Sequence, residues 1–277
     1  MFFSKALLAA TYQNAMPGKR TKEHEQAEFH RFKTEYLFRN TNIPKDLYIA
    51  RLIQHFVIIK AIETELKNLA DQTPINAFFT LSYLDELWRT PGIRADLIQL
   101  GVTPEQIDDS QIAPATTEYI KQIKQLPPKP LLAHFLTHVA GFMHGGEIIR
   151  KKYIEPSNRV TEYQIPTEQY DFSSAATALS ERRSSPLAVY GDMMKHVDEI
   201  TLTTEEYEEV LQQGKEVYAN MVNIYDDLCD MHTKQYKLPP YFIAIVTVSM
   251  VAIAWVLSFL TPLMDSNNSY EPRPGGL

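Results

Sequence analysis

Residues 241–263 form a run of 23 residues without a single charge, and nothing else in the chain limits its fold so strongly. At about 1.5 Å per residue, a helix of this length reaches roughly 35 Å, enough to cross a hydrocarbon layer of about 30 Å. Core helices that are apolar on every face rarely run so long. Lys234 and Lys237 precede the run, and Asp265 and Glu271 follow it with only Arg273 opposing them. That flank places the large N-terminal part on the cytoplasmic side. The run is followed by 14 residues. The expected layout is a single-pass, tail-anchored membrane protein. It has a helical domain over 1–235, a linker over 236–240, a transmembrane helix over 241–263 and a short tail over 264–277.

The part before this run is sized for one domain. The whole chain has 277 residues, 44% of them apolar, enough to bury a full core. Its 17 prolines sit mostly between apolar-periodic stretches and read as helix punctuation. Helical spacing covers 21–40. A second helix opens at Pro44 and Asp46 and carries Leu47, Ala50, Ile53, Phe56, Val57, Ala61 and Leu66. A third helix is expected over 75–87, ending before Pro91 and Gly92, and a short one at Thr103, Pro104 and Glu105. Pro127, Pro128 and Pro130 break the chain ahead of a long apolar segment over 131–153, and 154–173 reads as a connection. Helices over 186–196 and 203–232 complete the domain, the last with Thr203 and Glu206 at capping-box spacing. No strand-period run appears, so the fold class is all-α.

Some functions are set aside by composition. The net charge is −7 and no basic patch interleaves with aromatics, so nucleic acid is not an expected partner. The single cysteine, Cys229, excludes an internal disulfide. The apolar run at 6–10 is too short for a signal peptide and has no basic region ahead of it.

The segment over 131–153 contains Gly141, Gly145 and Gly146. Glycine inside a helix costs about 0.5–1 kcal/mol relative to alanine, so three in six residues need a reason. Gly141 and Gly145 are four apart and share a face. A face without side chains admits either a flat ligand or another helix, and spacing alone does not choose. His134 and His138, also four apart, have the spacing of a metal-chelating pair.

The stretch His134-Phe-Leu-Thr-His-Val-Ala-Gly141-Phe-Met-His-Gly145-Gly146-Glu-Ile-Ile-Arg-Lys-Lys152 resembles the distal helix of heme oxygenases. In that family the glycines bend the helix over heme and leave room for dioxygen. His24-Glu-Gln-Ala-Glu28-Phe-His-Arg-Phe32, with Thr21 and Lys22 before it, is similar to the family's proximal segment. Asp46, the run Ala61-Ile-Glu63 and the last-helix stretch Asn223-Ile-Tyr-Asp-Asp-Leu228 agree with the same pattern. The resemblance implies a heme-oxygenase-like helical bundle holding heme as both cofactor and substrate. His24 becomes the axial iron ligand and the metal-binding residue, with Glu28 one turn on. His30 is the competitor, turned to another face. Gly141, Gly145 and His144 take the catalytic positions, Phe142 and Gly146 join the cofactor-binding set, and His134 is structural.

The resemblance also implies oxidative cleavage of heme to biliverdin, carbon monoxide and ferrous iron, with electrons from a partner reductase. The pattern breaks at Phe142, where the family carries Asp; a phenyl ring cannot accept a hydrogen bond or hold water. His144 replaces a small Ser and offers a distal donor or a second ligand. Near Tyr190, where the family pairs heme carboxylates with Lys and Arg, this chain has Leu187 and Gly191, leaving Arg182, Arg183, Lys195 or Lys19 as substitutes. Three alternatives stand beside the enzyme. One is a non-catalytic heme binder or sensor on the same fold. Another is a nonheme iron oxygenase using residues such as Asp192 and His196. The third is a tail-anchored interaction protein without a cofactor.

Overall fold

The computed structural model describes residues 1–69, 73–179 and 185–236, together with Met250. The chain divides into two units, Met1–Thr233 and Lys234–Leu277. Of the second, one 3-10 turn, Lys234–Tyr236, and Met250 are described. The expected transmembrane helix, linker end and tail otherwise lie outside the described residues. Among the described residues no helix is long and apolar enough to cross a membrane.

The first unit is helical throughout. Its helices are α1 (Phe3–Thr11), α2 (Lys22–Glu28), α3 (Lys45–Asn68), α4 (Asn76–Phe79), α5 (Thr90–Gln99) and α6 (Pro114–Ile123). They continue as α7 (Pro128–Ala140), α8 (Gly146–Ile149), α9 (Glu155–Asn158), α10 (Ser173–Leu179), α11 (Pro186–Val197) and α12 (Thr204–His232). The only strand-like pairing among the described residues is an isolated bridge between Tyr12 and Arg20.

The helix α3 runs through the centre, burying Leu47, Leu52, Ile53, Phe56, Ile58, Ile59, Ile62 and Leu66. Its neighbours include α5, α6 and α7, so it has no broad solvent face. The long α12 packs along α1, α2, α6 and α7. Its N-terminus is closed by the expected capping box. The Thr203 hydroxyl accepts from Glu206 N at 3.2 Å, and Glu206 Oε2 accepts from Thr203 N at 2.9 Å.

Prolines start several of the helices. Pro91, Pro114 and Pro128 each stand in the first turn of α5, α6 and α7, where no N–H is missed. Neither α5 nor α6 was expected. The third expected helix, 75–87, is instead a short α4 between 3-10 turns Thr73–Ile75 and Leu84–Leu87. The Thr80 hydroxyl donates to the Ala77 carbonyl at 2.8 Å, a local bond that competes with continuing the helix. The expected helix over 21–40 is also broken, into α2 and a π-helical segment, Phe32–Leu37.

Close approach of α1, α7 and α12 occurs at Gly214. A Cβ there would come within 2.8 Å of the Ala10 side chain, with Leu7 and Thr137 next nearest. Glycine at this point lets three helices meet.

Candidate functional site

His24 sits in the first turn of α2, which is tied to the end of α1. Thr21 N donates to Thr11 O at 3.0 Å, and the Thr21 hydroxyl donates to Ala10 O at 2.8 Å. The His24 ring lies on Tyr218 of α12, centroids 4.6 Å apart and planes 22° apart, with Tyr12 edge-on at 5.9 Å. Tyr218 is itself held by a 3.1 Å bond between its hydroxyl and that of Thr11.

His24 Nδ1 is 3.1 Å from the Thr11 carbonyl. A carbonyl only accepts, so Nδ1 carries the proton and Nε2 keeps its lone pair. Burial lowers the pKa of this ring, more than the Thr11 carbonyl and Glu28 raise it, which favours the neutral form. A neutral imidazole with one nitrogen fixed by a carbonyl and the other free has the chemistry of a metal ligand.

The Thr11 backbone, and not Glu28, meets the second ring nitrogen. Glu28 pairs with Arg20 through both oxygens, one at 2.9 Å from Arg20 Nη2. Its Oε2 stays 3.8 Å from His24 Nε2, too long for a hydrogen bond. His30, the competing ligand, is engaged: Nδ1 accepts from Phe32 N at 3.2 Å, and Nε2 lies 3.3 Å from Asp226.

The glycine segment is helical but not α throughout. Gly141–Gly145 and Arg150–Ile154 are π turns around α8. Such wide turns recur at functional sites. A Cβ at Gly141 or Gly145 would meet nothing within 4 Å. Gly146 differs: its missing Cβ makes room for the ring of Tyr170. Two of the three glycines therefore present bare backbone to open space. The third serves packing, and its expected place in the cofactor set gives way to that role.

These two halves are close. Ala10, Gly214 and Thr137 meet at the three-helix junction. From there Tyr218 and Gly141 each lie one turn further along their own helices. Tyr190 of α11 joins them, edge-on to the exposed His144 at 4.7 Å. Burial pushes Tyr218 up to about 12, with Tyr12, Tyr190 and Glu28 adding to the rise.

Phe142 faces inward, buried, at 5.7 Å from the ring of His55 and 6.2 Å from that of Tyr170. Neither ring nitrogen of buried His55 has a hydrogen-bond partner. Burial and the Arg51 charge hold His55 far below the usual histidine pKa. His134 and His138 do not form a chelating pair. Both rings turn to the Tyr119 hydroxyl, at 2.7 and 3.3 Å, and His134 Nε2 reaches Gln213 at 2.9 Å. Burial lowers their pKa values to about 4 for His134 and about 3 for His138.

Two interior cations escaped the sequence reading. Arg51 of α3 is 4% exposed; its Nη1 donates to the Tyr170 hydroxyl at 3.4 Å and its Nε has no partner. Half-buried Lys33 donates to the Ala27 carbonyl at 3.1 Å and stands 5.7 Å over the Tyr225 ring. Among the described residues neither has a carboxylate at ion-pair distance. The signal was a lone Arg within the otherwise apolar run 47–53.

Of the outer basic candidates, Lys19 and Lys195 are exposed, and Arg182 and Arg183 lie outside the described residues. Asp192 accepts from the Tyr83 hydroxyl at 2.8 Å, while His196 Nδ1 is 3.1 Å from the Asp192 carbonyl. Among the described residues no three His, Cys, Asp or Glu side chains are grouped to hold a metal ion.

The family model for heme oxygenase matches residues 14–227. The heme oxygenase of Rhodella violacea is 30% identical over 134 residues, 47% of this chain and 54% of that relative. The chain thus spans about half the length of the relative it matches. Heme oxygenase-2 from Synechocystis, solved with heme and NO, has a TM-score of 0.67 at 20% identity, covering 84% of this chain and 87% of that one. Heme oxygenase from Leptospira interrogans has a TM-score of 0.62 at 21% identity, covering 81% and 98%. Both structures are likenesses of fold.

Proposed function

The chain belongs to the heme oxygenase family, and from that premise we propose that it binds heme and cleaves it to biliverdin, carbon monoxide and ferrous iron with electrons from a partner reductase. The observation that carries this reading is the seat of His24: Nδ1 held by the Thr11 carbonyl, and Nε2 without a hydrogen bond among the described residues. The residues fit an iron porphyrin. His24 supplies an imidazole nitrogen donor, and the bare backbone at Gly141 and Gly145 leaves room for a flat ring. Bound heme supplies both the iron that activates dioxygen and the macrocycle that is opened. The chain's own part is to orient the imidazole through Thr11 and Tyr218 and to keep side chains off the glycine face.

A second reading, a heme binder or sensor without turnover, is favoured by one observation. Phe142 stands where the family has Asp, and it is buried against His55 and Tyr170. It holds no proton and no water. The exposed His144 is the remaining polar group on that turn.

Hemin titration of the full-length chain beside His24→Ala tests binding. The expected result is a Soret shift in the wild type, with an affinity around micromolar, roughly −8 kcal/mol, and loss of that shift in the variant. A flat wild-type titration removes both readings. Adding a reductant then separates them: biliverdin absorbance supports the enzyme, and an undiminished Soret band supports the binder.

The charge-free run 241–263 supports a tail anchor with the helical domain on the cytoplasmic side, near a membrane-bound electron donor. Retention of the chain in the pellet after alkaline carbonate extraction is the expected outcome; release into the supernatant refutes the anchor.

A further inference from the structure

Among the described residues, two cations inside the first unit have no carboxylate at ion-pair distance. Burying an unpaired charge costs several kcal/mol, and chains seldom keep one without a partner arriving from elsewhere. Arg51 is buried against the hydroxyl of Tyr170, whose pKa burial raises further, so that phenol compensates no charge. The nearby carboxylate, Glu28, is engaged by Arg20. Lys33 donates to the carbonyl of Ala27, three residues past His24 on α2, and Arg51 donates to Tyr170, whose ring lies against Gly146. The Lys33 charge is felt at His24 and again at His55, and Arg51 is felt at Lys33 and His55. His55 in turn touches Phe142, next to Gly141.

Among the described residues the outer rim offers no buried cation. Leu187 is 68% exposed, Gly191 has no side chain, and Lys19 and Lys195 point to solvent. Among the described residues, the buried positive charge without a carboxylate partner therefore lies at the inner end of the site. A planar ligand bearing carboxylates fits that distribution with its acidic edge inward.

We propose that Arg51 and Lys33 form an internal carboxylate-binding site that takes the propionates of a bound tetrapyrrole, so that the acidic edge of the ring enters first. This rests on the heme reading above. The Arg51 Nε, free of any hydrogen bond, is the donor that the carboxylate completes. The Tyr170 hydroxyl, already on Arg51 Nη1, fixes the guanidinium for that contact.

The test compares hemin with hemin dimethyl ester, whose carboxylates are capped, on the full-length wild type, Arg51→Met and Lys33→Met. Both probes are titrated in the same mixed solvent and followed by the Soret band. The wild type is expected to prefer hemin by tenfold or more, the scale of one or two charge-assisted hydrogen bonds. Each variant loses most of that preference while binding the ester as well as the wild type does. Retained ester binding with the His24-dependent Soret position shows that the variant is folded and its imidazole in place.

Equal wild-type affinity for the two probes overturns the proposal and leaves the heme reading standing. So does a preference that survives both substitutions, because the carboxylates are then held elsewhere. Failure of the wild type to bind either probe overturns the heme reading itself, and this proposal with it.

Discussion

The imidazole of His24 and the phenol of Tyr218 lie face to face at 4.6 Å, one on α2 and the other on α12. The stack and the Thr11 carbonyl together leave the ring one orientation. Tyr218→Leu removes the platform and its bond to Thr11. Aromatic pairs contribute about 0.5–1.5 kcal/mol beyond burial, so hemin affinity is expected to fall by about three- to tenfold. Tyr218→Phe keeps the platform and stays near wild type. Parallel titrations check both.

The three glycines separate by where a methyl group would go. Gly146→Ala drives a Cβ into the Tyr170 ring and is expected to destabilise by about 1–3 kcal/mol. Gly145→Ala meets nothing and is expected to stabilise by roughly 0.5–1 kcal/mol through helix propensity. The same methyl group occupies the open face, so Gly145→Ala weakens hemin binding as it raises the melting temperature. Urea unfolding and titration of each variant read the two effects.

His55 makes no hydrogen bond with either ring nitrogen. Replacing it by Leu removes two unmet polar atoms at similar volume. His55→Leu is expected to stabilise the apo chain by about 1–3 kcal/mol. A loss of stability in urea would mean that the imidazole holds a partner.

Acid is expected to weaken the fold through His134. Its folded pKa is lowered from 6.5 to about 4, so the unfolded chain binds the proton first as pH falls. Its contribution is fully present above pH 6.5 and is lost as pH drops to about 4. The loss is about 3 kcal/mol, from 1.36 kcal/mol per pKa unit. His138 extends the loss toward pH 3. In His134→Gln, which keeps a hydrogen-bonding side chain, the slope of stability against pH should be shallower. Urea midpoints from pH 7 to 4 measure it.

Asp96 holds the turn that carries Tyr170. Its two oxygens accept from Glu168 N at 2.8 Å and Gln169 N at 3.0 Å. Asp96→Ala strands both donors and is expected to cost about 2–4 kcal/mol. It also frees the Tyr170 hydroxyl from Arg51. A melting curve checks the first effect, and altered Tyr170 fluorescence or exchange the second.

The long elements were legible because their patterns repeat over many turns. The second expected helix became α3, and the Thr203–Glu206 spacing marked the start of α12 correctly. Pro91 misled because proline in a first turn looks the same in sequence as proline that ends a helix. His24, Gly141 and Gly145 were legible as unusual residues at motif spacing. The Thr11 carbonyl was not, because a backbone partner from the preceding helix leaves no mark in side-chain identity. Arg51 and Lys33 were missed for a different reason. A charged residue in a helix is normally solvated, and only the fold reveals that this one is enclosed.

Gly214 belongs to none of the expected site motifs, yet it sets the gap between α1 and α12. A bulkier residue there would wedge the helices apart, withdraw Thr11 from the imidazole and slide Tyr218 off its face. A variant at this position would register in a spectrum as a damaged iron ligand while every residue of the motif remained intact.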